Sequence, residues 1–413
     1  MAKAVRVVVA GAGPAGIGAA IGAAHMGAKV ALIERYGFPG GMATAGLVHP
    51  WMTYHAGDKQ IIGGIFQQVI EPLKQRGAFE PSDNLFDPEQ LKQVLLEMLV
   101  EAGVELHLHT FVVGVRKAGG AVRGLVVHDK SGRQTVTGDV VIDATGDGDV
   151  SAFAGCPYEK GRKKDGLMQP MTLHFRMAAV DRSRMPTRQQ LNQLYNDAKA
   201  AGKIHCPREN VLWFNTTIAD VVHFNTTRVV KVDGTNAADL TQAEIESRRQ
   251  AWEIAGWLQK EVPGFERAYI SATGPQVGVR ETRRITGHYV LTARDVLGGR
   301  KFRDGVALCS YPIDIHNPAG SGTVIKHLKP GDWYSIPYRC LVPLDAEGLL
   351  VAGRPISSTH EAHSSLRVQP ICYATGHAAG IAAVLAAQAR SSLADLDVKA
   401  LRRQIIAQGG ILD

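Results

Sequence analysis

The chain has 413 residues, 45% of them hydrophobic and 21% charged, an ordinary globular composition that excludes a disordered or fibrous protein. That length suffices for two or three domains. The net charge of +7 comes with no Lys/Arg run denser than Gly161-Arg162-Lys163-Lys164, so it reads as a basic surface, and no nucleic-acid partner is expected.

The chain opens on an apolar run, Val5 to Ala10, followed by a glycine turn, a small-residue helix from about Pro14 to Met26, and a second apolar run from Lys29 to Glu34. Strand, turn, helix and strand in so short a span is a βαβ unit, with strands buried on both faces of a parallel sheet. Residues 40–83 are rich in glycine, aromatics and histidine, with one short helical stretch near Ile65 to Gln75. A clear helix follows: Asp87 is placed to cap it, Pro88 to start it, and Leu91, Val94, Leu95, Met98 and Leu99 recur on one face up to Gly103. Val104–Leu108, Phe111–Val115, Val122–His128 and Gln134–Val136 are expected to form a β-meander. Val140 to Ala144 is a further buried strand leading into Thr145-Gly146-Asp147-Gly148-Asp149.

From about 155 to 335 the βα rhythm lapses. Met171–Met177 reads as a strand, and Thr187–Ala200 and Thr241–Glu261 as helices. Leu349–Ala352 is a last apolar strand. Pro370–Arg390 is a small-residue helix returning to the first unit, whose glycines imply close packing on a sheet. The expected fold is α/β: a Rossmann-like dinucleotide domain, with a parallel sheet and a β-meander, plus an inserted α+β substrate domain. The first would comprise residues 1–50, 85–155 and 340–413, the second 51–84 and 156–339.

Gly11-Ala12-Gly13-Pro14-Ala15-Gly16 is a G-x-G-x-x-G turn between strand and helix. Gly11 permits the tight turn, Gly13 lets the backbone approach a diphosphate, and Gly16 allows helix and strand to pack closely. The helix then directs unpaired N–H groups at that diphosphate. Glu34, at the end of the second strand, is placed to accept from ribose hydroxyls and disfavours a 2′-phosphorylated nicotinamide.

The Gly-Pro-Ala-Gly form of the turn, Glu34-Arg35, Asp143-Ala144-Thr145-Gly146-Asp147 and Leu349-Leu350-Val351-Ala352-Gly353-Arg354 are similar to FAD-binding sequences. With Gly40 to Gly46, Gly278 to Arg284, Asp314-Ile315-His316 and Thr359 to Arg367, nearly the whole chain resembles the FAD-dependent oxidoreductase family of the glutathione-reductase superfamily. The resemblance implies FAD as cofactor. Gly41, Met42, Ala43 and Thr44 would pass along the ribityl and phosphate region, Val112 would meet the adenine, and Ala144, Thr145 and Gly146 would cover the adenosine. Gly353 and Arg354 would lie near the diphosphate, although this chain has Arg354 where the superfamily has Asp. Arg367, Gln369, Pro370 and Ile371 would face the flavin ring, with a helix N-terminus stabilising its reduced anion.

The flavin carries electrons, so the protein must supply a proton-handling group. His316 and His360 are the candidates, because they stand in family-like segments, with His363 beside His360. Arg283, with Arg280, Arg284 and Glu281, would either clamp an anionic substrate or form a salt-bridge network between the two domains.

The expected activity is hydride transfer between a small polar substrate and non-covalent FAD, with the electron acceptor open. The alternatives are an NAD(P)H-dependent flavin reductase or monooxygenase, and a non-catalytic FAD-fold protein binding protein or tRNA. Five widely spaced cysteines without a C-x-x-C pair point to inert thiols in a reducing compartment. The apolar Ile381–Ala389 stretch is too short to span a bilayer, and no signal peptide is visible, so a cytoplasmic location without a membrane partner is expected.

Overall fold

The computed structural model describes residues 4–413. Strand β1 (Arg6–Ala10), helix α1 (Pro14–His25) and strand β2 (Lys29–Ile33) form the opening unit. They belong to a five-stranded parallel sheet with β3 (Glu105–His107), β4 (Val140–Asp143) and β5 (Leu349–Val351), in the order β5-β4-β1-β2-β3. Val7, Val8, Val9 and Ala10 are fully buried, as required of a strand covered on both faces.

The meander is shorter than expected. It holds three antiparallel strands, Phe111–Ala118, Ala121–Asp129 and Gly132–Thr137. The segment expected as its first strand is β3, which pairs in parallel with β2. Apolar content alone does not distinguish these two hydrogen-bonding partners.

Helix α2 (Gln369–Ala389) lies against α1. The glycines of this pair permit helix-on-helix contact, while α2 also lies on strands of the parallel sheet as expected. A Cβ on Gly376 would fall 1.9 Å from the carbonyl oxygen of Ala15, and one on Gly380 2.1 Å from that of Ala19. At 21 residues α2 is long and apolar enough to cross a membrane, contrary to the shorter stretch read from sequence, but 83% of its most apolar window is buried inside the protein. It is a core helix.

Two apolar cores result. The smaller gathers residues between Met171 and Val279 around an antiparallel sheet ordered Trp213–Phe214, Val222–Phe224, Phe175–Ala178 and Tyr269–Thr273, with helices Arg188–Ala200 and Ala237–Glu261. The larger core contains the parallel sheet, α1 and α2. It also takes in Trp51, Ile61, Phe66, Val306, Leu308 and Ile336, residues placed in the second unit on sequence alone. Helix Ile65–Gln75 packs on α2 and on Pro88–Glu101, which carries its apolar side chains into the first core.

Candidate functional site

A cleft runs along the carboxyl ends of the parallel strands, where open α/β sheets hold their ligands. Its wall begins at the glycine turn. Gly11 has φ +94°, and a Cβ there would stand 2.5 Å from the Ala144 carbonyl oxygen. On Gly16 it would stand 1.7 Å from the Gly11 carbonyl oxygen. Gly13 differs: a Cβ there would meet only the Gly41 Cα, at 3.7 Å, so its missing side chain leaves open space in the cleft. Gly13 is the N-cap of α1 and Pro14 follows it, and no side chain caps the helix. Unsatisfied N–H groups therefore face the cleft, with the positive end of the helix behind them.

Glu34 is buried. Its carboxylate accepts from Ala12 N at 2.7 Å and from Tyr36 N at 2.9 Å, which locks the turn to the end of β2. Burial raises its pKa, against the pull of those two N–H groups. Arg35 donates to Gln276 Oε1 at 2.5 Å. Asp143, fully buried at the end of β4, accepts from Thr145 N and Oγ1 and from Ser151 N and Oγ. That holds Ala144, Thr145 and Gly146 in the wall.

Of the residues expected from sequence, Gly11, Gly13, Pro14, Ala15, Glu34, Arg35, Gly41, Met42, Val112, Ala144, Thr145, Gly146, Gly353, Arg354, Arg367 and Gln369 line this one cleft. Gly16, Ala43, Thr44, Pro370 and Ile371 are buried away from its wall. Thr44 donates its hydroxyl to Pro39 O at 2.8 Å, so it braces the 40–46 loop from within. Arg354 lines the cleft, but its guanidinium is occupied by Gly146 O at 2.7 Å, Asp147 Oδ1 at 2.6 Å and Val279 O. Its charge is largely spent on Asp147, although its place near the expected diphosphate is kept.

Asp143, Tyr36, Thr110, Asp147, Gln276 and Cys372 were not identified as site residues from sequence. Asp143 stood inside the recognised Asp-Ala-Thr-Gly segment, so its signal was present. Gln276 carried none, since it reaches the cleft only through the fold.

The far end of the cleft holds Met42, Arg367, Gln369 and Cys372. Gln369 is held on both sides, accepting from Trp51 Nε1 at 2.7 Å and donating to Val48 O at 2.9 Å. It starts α2, whose N-terminus also lacks a side-chain cap. Burial pushes the Cys372 thiol up to about 12.

None of the three catalytic candidates lines the cleft. Arg283 binds Asp149 Oδ1 at 2.8 Å and Asp147 O at 3.0 Å, fastening the second unit to the loop after β4. Arg284 and Glu281 form a buried ion pair. The charged cluster is thus mainly the network rather than the clamp. His316 accepts at Nδ1 from Arg228, which can only donate, at 3.2 Å, and its Nε2 lies 3.6 Å from Asp314 Oδ2. Burial, and then the positive Arg280, push its pKa down to about 3, so it is a neutral connector. His360, the first residue of the short helix His360–Leu366, is buried. Its Nδ1 lies 2.8 Å from Glu281 Oε1, while its Nε2 has no protein partner.

A family model described as FAD dependent oxidoreductase matches residues 6–405. Among solved structures, the chain is similar to the myxobacterial chondrochloren halogenase CndH, described as a variant of FAD-dependent halogenases, at 13% identity and a TM-score of 0.50, over 97% of this chain and 78% of that one. It is also similar to a geranylgeranyl bacteriochlorophyll reductase-like protein from Thermoplasma acidophilum, at 13% identity and TM-score 0.46, over 98% and 84% of the two chains. The p-nitrophenol 4-monooxygenase of Pseudomonas putida aligns at 11% identity and TM-score 0.46, again over 98% and 84%. No curated protein matches the chain.

Proposed function

The chain belongs to the FAD dependent oxidoreductase family, and from that premise we propose that it transfers a hydride between a small polar organic substrate and non-covalently held FAD. The observation that carries this reading is the cradle at Gly13. An uncapped helix N-terminus and a position where a Cβ would enter open space stand together on the wall of the cleft. FAD held there supplies a two-electron donor and acceptor.

The residues fit that cofactor along its length. The N–H groups at the start of α1 would take the diphosphate, Glu34 and Arg35 the adenosine ribose, and the backbone at Val112 the adenine. Gly41 and Met42 would flank the ribityl chain. Gln369 and the start of α2 would meet the isoalloxazine. Non-covalent binding is supported by the wall's chemistry. It has no histidine, and Cys372, with its thiol pushed up to about 12, stays protonated and weakly nucleophilic.

The proton that accompanies the hydride is assigned to His360 Nε2, which lies behind the cleft wall and would exchange it through an intervening group rather than by direct contact with the substrate. Glu281 accepts from Nδ1 and so fixes the tautomer, leaving Nε2 as an unshared base. His316 and Arg283 are committed to other partners.

The experiment is purification of the full chain, a visible absorption spectrum, and anaerobic addition of hydroxy acids, amino acids and sugars. A flavin band that one substrate class bleaches is the expected result, with bleaching slowed at least about a hundredfold in His360→Asn while the band is retained. Colourless protein that takes up no added FAD overturns the reading. Bleaching by NADPH alone would replace it with a flavin reductase.

A further inference from the structure

Beyond the flavin end of the cleft the structure concentrates positive charge. Arg208, Arg228, Arg280 and Arg367 gather around Asp314, with Glu209 as the second carboxylate. The group is continuous. Arg367, on the cleft wall, lies 3.5 Å from Asp314 Oδ2. Asp314 also accepts from the Tyr311 hydroxyl at 2.9 Å and neighbours His316, which accepts from Arg228. Arg228 in turn pairs with Glu209 at 3.0 Å.

These contacts use both carboxylates. Glu209 balances Arg228, and Asp314 balances Arg367. Neither Arg208 nor Arg280 forms an ion pair, although both are more than nine-tenths buried. Arg280 donates to neutral acceptors, Pro170 O at 2.8 Å, Thr172 Oγ1 at 2.6 Å and Asn225 Oδ1 at 3.3 Å. Arg208 makes one side-chain hydrogen bond, from Nε to Asn210 Oδ1 at 3.2 Å, and its Nη1 has no acceptor. Gln169 accepts from His316 N and leaves its own Nε2 without an acceptor. Burial weighs first against the charge on Arg280, and the nearby Arg367 and Arg208 add to that. A buried cation without a counter-ion is strongly disfavoured, and buried donors seek acceptors. Two such cations together, beside donors lacking acceptors, describe a site completed by an anion.

We propose that Arg208 and Arg280, with Gln169, bind a carboxylate group of the substrate. Arg367, shared between this group and the cleft, places that carboxylate beside the flavin end. This rests on the flavin reading above and narrows its substrate to a small carboxylic acid. Guanidinium forks match carboxylates in shape as well as charge.

The test uses FAD-loaded full-length protein, with succinate, inorganic phosphate and neutral succinamide as probes. Binding is read as a flavin difference spectrum and as a rise in melting temperature. Succinate is expected to bind, and succinamide is not. Arg208→Gln should weaken succinate about ten- to hundredfold while FAD affinity is unchanged, and Arg208→Lys, which keeps the charge, should recover part of that loss. Yellow protein that ignores succinate overturns the proposal and leaves the flavin reading intact, whereas colourless protein fails at the earlier step. Succinamide binding as well as succinate, or unchanged affinity in Arg208→Gln, also overturns it. Tighter binding of phosphate than of succinate overturns the carboxylate assignment. Should Arg208→Gln not fold, Asp314→Asn, which removes a competing anion, gives the opposite sign: succinate must bind more tightly.

Discussion

At the scale of single residues, the glycine turn separates two duties that share one motif. Gly16 is needed because its Cα lies against the Gly11 carbonyl, whereas Gly13 borders open space. Gly16→Ala should therefore cost about 3 kcal/mol or more, the upper range for overpacking a tight contact, with or without cofactor. Gly13→Ala should leave the stability of the FAD-free protein within about 1 kcal/mol. It should cut FAD affinity at least about tenfold by placing a methyl before the helix N–H groups. Melting curves of the FAD-free proteins and a flavin titration check both, and equal stability loss in the two variants would refute the distinction. The same scale shows why a family-like position can mislead. Arg354 stands at the cleft, yet Asp147 and two carbonyl groups take its donors.

At the scale of elements, the pair α1 and α2 sets the site. Both helices present uncapped N-termini to the cleft, so in the proposed reading their spacing would set the distance between diphosphate and flavin. Gly376 lets the axes approach. Gly376→Ala would drive a methyl into the Ala15 carbonyl and is expected to cost about 3 kcal/mol, with weaker FAD binding as the two N-termini part. Gly256, within the Ala237–Glu261 helix, meets nothing within 4 Å. Gly256→Ala should stabilise by about 0.5–1 kcal/mol, through reduced freedom of the unfolded chain. Denaturant titration of the two variants distinguishes them, and a stability loss in both would contradict the packing described.

At the scale of the whole molecule, the interior holds neutral histidines. Burial drives the pKa of His49 and His316 down to about 3 and of His377 to about 4, and those of His174, His223 and His363 well below the usual 6.5. In each the unfolded chain binds a proton that the folded chain refuses. Stability is therefore full above 6.5 and falls as the pH drops from there toward 3–4. Each such histidine contributes about 1.4 kcal/mol per pH unit in that window. Urea unfolding at about pH 7.5 and about pH 5.5 should show a loss equivalent to uptake of several protons. A flat profile across that interval would rule this out.

The opening βαβ unit, the capped helix after Asp87 and most of the cleft wall were legible in the amino-acid order. Their determinants act within a few residues: a glycine that must adopt positive φ or admit a carbonyl, an Asp ahead of Pro, a valine run fit for burial on both faces. The resemblance to flavoproteins rests on these local signals. What the fold alone decided is which distant groups meet. Arg208, Arg280, Asp314 and Arg367 come from separate segments; the last three stand in family-like stretches and Arg208 in none, and nothing local shows that the four meet. β3 left the meander for the sheet because hydrogen-bond pairing is chosen among all strands present. Residues 51–84 joined the first core because α2 offered them an apolar face. Long-range contacts are selected by burying area and balancing charge over the whole chain at once, and that balance is written nowhere in the local order.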